Sequence, residues 1–215
     1  MTRHLLFALV CFLTCVPVGP VAAARTIEFE TTEVTQSDVA LSPDGQWLVF
    51  TMLGHLFRLP VKGGAAEQLT FGPYYDTDHA ISPDGSRVAF VSDRDGSEGN
   101  VFVLELGTGK ITQVTHESWA GRPTWTPDGR AIVYLSFVVE ETWRAFWGPS
   151  PALVRRVALS GGEPETVAAP EREFRSLFYL PDGRLAWTFI ERENPVLSVY
   201  PAVADRPERR GFPAG

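Results

Sequence analysis

Asp38, Asp78, Arg122 and Ser176 each stand four residues ahead of a tetrapeptide built on Pro-Asp-Gly. Two carboxylates and a guanidinium brought to one place could bind a charged ligand or a peptide terminus. The alternative is that these polar groups face trapped water. A second set with binding chemistry lies in the run 140–149, which holds Trp143, Arg144, Phe146 and Trp147. Tryptophan and arginine are the residue types enriched in binding hot spots, although the same aromatics could fold back as a cap over a sheet edge. Catalytic chemistry has no such footing. His55, His79 and His116 occur singly, and no His-Glu-x-x-His pair, Gly-x-Ser-x-Gly elbow or phosphate loop is present. Asp93, Asp95 and Asn100 begin like a calcium loop, but the ligands required later in that motif do not follow, which leaves a plain polar loop. No metal and no cofactor is expected.

The tetrapeptides decide how these residues are positioned. Ser42-Pro43-Asp44-Gly45 and Ser82-Pro83-Asp84-Gly85 match, and Thr126-Pro127-Asp128-Gly129 and Leu180-Pro181-Asp182-Gly183 are close variants. Proline presets φ, aspartate bonds the local backbone and glycine accepts positive φ, so each is a turn between strands. Their aspartates are 40, 44 and 54 residues apart, the spacing of a repeat architecture. Each repeat reads as a short strand, the turn, an apolar strand such as Trp47–Phe50, a third strand, a Gly-rich turn and a fourth strand. The fourth repeat starts in register but becomes irregular after Ile190. The expected fold is all-β: a β-propeller of four-stranded antiparallel blades, about four repeats and incomplete.

Ser-Pro-Asp-Gly followed by an apolar strand, and then Ser92-Asp93-Arg94 before the third strand, resembles the TolB-like, WD-repeat-related propellers over residues 34 to 190. TolB-like repeats also precede exported amidohydrolase or serine-peptidase domains, and the run Leu41 to Pro60 resembles the start of the amidohydrolase-linked kind. The resemblance implies an exported, non-catalytic binding or scaffold module with a protein, peptide or glycan partner. The other reading it implies is the N-terminal propeller of a larger exported hydrolase whose catalytic domain lies elsewhere. In either case the first strand of each blade lines the central channel, so Asp38, Asp78, Arg122 and Ser176 should ring its mouth. Strand alternation puts the Pro-Asp-Gly turns on one face. The loops holding His79, His116, Trp119 and the Trp143–Trp147 run fall on the other.

The first residues read as an export signal: Arg3 and His4, an apolar stretch from Leu5 to Val18, and Ala22-Ala23-Ala24 as the cleavage site. Both cysteines, Cys11 and Cys15, lie inside it, so residues 25–215 contain no thiol. Cleavage after Ala24 removes Arg3 and no acid, taking the formal charge from −7 to −8. An acidic chain without a basic stripe argues against nucleic acid, and the apolar stretch is too short and too broken for a membrane span after cleavage. The expected organisation is a signal peptide at 1–24, blades at 25–200 and an irregular tail at 201–215. Thr26–Glu30 is a further strand that could zip onto the fourth blade. About four blades is at or below what closes a ring, which points to a longer protein or a partner that covers an exposed edge.

Overall fold

The computed structural model describes residues 38–137, 152–169, 174–191, 194–200 and 208–211, all within the unit Glu33–Gly215. The expected Thr26–Glu30 strand and the Trp143–Trp147 run lie outside the described residues. No helix occurs among the described residues, and the strands form four antiparallel sheets of four in simple meander order. Blade 1 is β1 (Val39–Leu41), β2 (Trp47–Met52), β3 (His55–Pro60) and β4 (Glu67–Gln68). Blade 2 is β5 (Asp76–Ile81), β6 (Arg87–Ser92), β7 (Asn100–Glu105) and β8 (Ile111–Gln113). Blade 3 is β9 (Trp119–Trp125), β10 (Ala131–Phe137), β11 (Ala152–Ala158) and β12 (Glu165–Ala168). Blade 4 is β13 (Phe174–Tyr179), β14 (Leu185–Glu191), β15 (Asn194–Tyr200) and β16 (Glu208–Gly211).

β16 is a correction to the expected loose tail. Glu208–Gly211 pairs with Val196–Val199 of β15 and completes the fourth sheet. The prolines on either side of this charged tetrapeptide hide it, because its strand character comes from pairing with β15 rather than from its own composition.

The repeated turns work as their chemistry requires. Ser42 Oγ, Ser82 Oγ and Thr126 Oγ1 each donate to the turn aspartate at 2.6 Å. That aspartate also accepts a backbone N–H two residues on, from Gln46, Ser86 or Arg130, at 3.0 to 3.1 Å. Gly45, Gly85, Gly129 and Gly183 take φ between +65° and +82°, where a side chain would be strained. Leu180 has no hydroxyl, and in the fourth turn Arg184 Nε donates to Asp182 at 2.8 Å instead.

The cores lie between blades. In β6, Val88 and Phe90 pack with Val49 and Leu56 of blade 1, while Ala89 packs with Trp125, Ile132 and Tyr134 of blade 3. In β10, Ile132 and Tyr134 face blade 2, while Val133 and Leu135 pack with Leu177, Leu185 and Trp187 of blade 4. A strand buried on both faces must be apolar at every position, and this accounts for runs such as Val88-Ala89-Phe90-Val91. The first strands run side by side, β1 against β5, β5 against β9 and β9 against β13.

Candidate functional site

The side-by-side first strands bring the four predicted positions together. Asp38, Asp78, Arg122 and Ser176 line one cavity of about 210 Å³, with Val39, His79, Pro123 and Leu177 as the other wall residues. Each pair of neighbours comes from one blade, so the four blades contribute equivalent positions.

Local irregularity in the strands turns these residues inward. The β5–β6 register shifts between Thr77 and Ala80, so Asp78 and His79 together oppose Phe90. The β9–β10 register shifts at the equivalent place, leaving Arg122 and Pro123 opposite Tyr134. Such bulges bend a strand and re-aim its side chains. Asp78 and Arg122 adopt φ of +46° and +50°, a left-handed conformation that costs a non-glycine residue about 1 to 2 kcal/mol. The strain is partly offset locally: the Arg122 amide donates to Asp78 Oδ2 at 3.3 Å.

His79 shares the cavity wall, yet its ring is already engaged. Nε2 donates to the Val49 carbonyl at 3.0 Å, which leaves Nδ1 to accept from Thr51 Oγ1 at 3.3 Å. Both partners belong to β2, so His79 brackets blade 2 to blade 1. Burial pushes its pKa down, while the Val49 bond and the charges of Asp38 and Asp78 act in the opposite direction.

The remaining predicted residues are not in this cavity. His116 is exposed and lines a separate cleft of about 440 Å³ between β7–β8 and β11. Trp119 stacks on Phe137, with ring centroids 4.4 Å apart. Trp143, Arg144, Phe146 and Trp147 lie outside the described residues. Asp95 and Asn100, from the calcium-like loop, bond to each other at 2.9 Å, and Asn100 also holds Thr115 and the backbone of Glu117.

Sequence reading missed two carboxylates, one half-buried and one fully buried, that organise the loops of this face. Glu117 accepts from Tyr134 Oη at 2.7 Å, Ser136 Oγ at 3.0 Å and Arg155 at 2.6 Å, tying the loop before β9 to β10 and β11. Burial, then the Glu117 bond, raises the Tyr134 pKa. Asp76 is fully buried and pairs with Arg94 at 2.7 Å. Their sequence separations of 17 to 38 residues carry no local signal.

Comparison with known proteins fits this architecture. Residues 21–142 match the family model described as the TolB beta propeller domain. Tricorn protease homolog 1 of Streptomyces coelicolor is 31% identical over 129 residues, covering 58% of this chain and 11% of that protein. Dipeptidyl-peptidase 5 of Porphyromonas gingivalis is 32% identical over 124 residues, covering 49% of this chain and 18% of that protein. A candidate TolB structure from Agrobacterium tumefaciens superposes with a TM-score of 0.67 at 20% identity, over 80% of this chain and 60% of that one. The chain thus spans less than a fifth of the length of these two curated relatives.

Proposed function

Because the chain belongs to the TolB β-propeller domain family, we propose that it is an exported, non-catalytic binding module. Its partner is a protein, peptide or glycan held on the face opposite the Pro-Asp-Gly turns. The observation that carries this reading is the meeting of Asp38, Asp78, Arg122 and Ser176 from four blades in one cavity. Two carboxylates and a guanidinium offer partners to both ends of a peptide, an ammonium for the aspartates and a carboxylate for the arginine. Export rests on the basic, apolar and small-residue order of residues 1–24.

The test is a titration of the full chain with an alanine tripeptide, followed by chemical shifts of the blade amides. The free-ended peptide should perturb residues around Asp78 and Arg122, and the peptide capped at both ends should not. Equal perturbation by both, or none by either, overturns the cavity as a terminus site. N-terminal sequencing of the secreted protein should begin at Arg25 if the leader is removed after Ala24.

A second reading has its own support. The curated relatives with names assigned above are peptidases of which this chain matches a small share. On that reading the propeller positions or admits substrate for a hydrolase domain encoded further along the same frame. A peptidase or metal-hydrolase sequence in frame after Gly215 would favour it over a stand-alone module.

A further inference from the structure

Two loops at the corner between blades 1 and 2, on the loop-rich face, carry four exposed large apolar side chains. Leu53 is 55% exposed, Phe71 65%, Tyr74 38% and Tyr75 55%. Leu53 sits at the tip of the β2–β3 hairpin, and the three aromatics lie on the loop from β4 to β5. The two segments are in contact. A Cβ at Gly54 would lie 2.8 Å from the Tyr75 ring, so the ring rests directly on the hairpin tip.

The segment carrying Tyr74 and Tyr75 is tied down by hydrogen bonds. The Asp76 amide donates to the Gly54 carbonyl at 2.8 Å, and the Tyr75 amide donates to Asp93 Oδ1 at 2.9 Å. Beneath them Arg94 bonds to fully buried Asp76 at 2.7 Å. Its guanidinium lies 5.2 Å from the Tyr74 ring, 5.0 Å from Phe90 and 5.2 Å from Phe102. Asp76 Oδ2 also lies 4.0 Å from His55 Nδ1, which brings the first residue of β3 to the foot of this loop. Rings fixed in this way have little freedom left to lose on binding.

Charge narrows the occupant. The adjoining β6–β7 loop turns Arg94 inward and leaves Asp93 exposed beside Tyr75, so a carboxylate borders the aromatic corner. The chain as a whole carries −7. A cationic side chain laid over a tyrosine face and beside a carboxylate gains from both.

We propose that Leu53, Phe71, Tyr74 and Tyr75 form a docking surface for an extended peptide segment of a partner protein that bears arginine or lysine. The proposal rests on the binding-module reading and moves recognition from the cavity to the corner of blades 1 and 2.

The test pans a random-peptide phage library on the full chain. Selected peptides are then synthesised with free termini and with both termini capped, and measured by fluorescence anisotropy. Capping removes any contribution from terminus capture in the cavity. We expect selected peptides to be enriched in arginine and lysine, and capped forms to bind the wild type. Binding of the capped forms should weaken about tenfold on Tyr75→Ser and on Phe71→Ser. Two single variants keep the test decisive if one of them fails to fold. Capped peptides that bind both variants as well as wild type overturn the corner, as do selected peptides without basic enrichment. Binding confined to free-ended peptides overturns the corner and leaves the cavity reading standing. Failure of every peptide in both forms, with or without binding on an oligosaccharide array, overturns the corner and the cavity reading together.

Discussion

A histidine on the wall of an acidic cavity is a ligand group only if a ring nitrogen is left to offer. His79 has given both to blade 1, and that makes it a reporter of the seam between blades. Its folded pKa lies below the ordinary histidine value of 6.5, because burial disfavours the imidazolium. The unfolded chain therefore takes up a proton first as pH falls. Stability is fully present above about pH 6.5 and is lost as pH drops from there toward the folded pKa. Melting temperatures between pH 7.5 and 5 should fall for the wild type, and the fall should be shallower in His79→Gln. At Arg122 the backbone can be separated from the side chain. With φ at +50°, Arg122→Gly should be more stable than Arg122→Ala by about 1 kcal/mol in urea unfolding, although both delete the same guanidinium.

At the scale of the element, three of the four Pro-Asp-Gly turns are built around one buried hydroxyl. Ser82 is fully buried, donates to Asp84 and accepts from the Arg87 amide at 2.9 Å. Ser82→Ala should cost about 1 to 2 kcal/mol, measured by urea unfolding, since it takes the acceptor from the part-buried Arg87 amide. The Ser82 bond, then the Ser86 amide, holds the Asp84 pKa at about 2. A depressed acid stabilises above its unfolded value, here 3.8, and that contribution fades as pH falls toward 2. The same substitution should therefore flatten the acid limb of the stability profile. These turns and the apolar second strands were legible in sequence because their chemistry is local. The extent of the first strands was not. Each repeat shows only a short strand before its turn, while the structure extends β5 back to Asp76 and β9 back to Trp119. The bulges at Asp78 and Arg122 break the period-two pattern, and the buried Asp76 looks like a loop residue until Arg94, 18 residues on, is seen against it. The equivalence of Asp38, Asp78 and Arg122 could be counted from the turns. That His79 is spent on Val49 and Thr51 depends on a different blade and could not.

For the molecule as a whole, stability resides in the seams. Phe90 lies in the cluster shared by blades 1 and 2, and Phe90→Ala should cost about 3 to 5 kcal/mol in equilibrium unfolding. Positions equivalent to one another around the blades should respond differently according to what covers them. Trp125 of β9 is buried, whereas its counterpart Leu41 of β1 is 60% exposed. Leu41→Thr should change stability by less than about 0.5 kcal/mol, while Trp125→Thr should be severely destabilising. Clusters that straddle neighbours also imply how the molecule yields. No sheet can open without stripping apolar cover from the next, so slow amide exchange should be correlated across adjacent sheets rather than within one. Blades would then lose protection in neighbouring pairs, like links that share their pins.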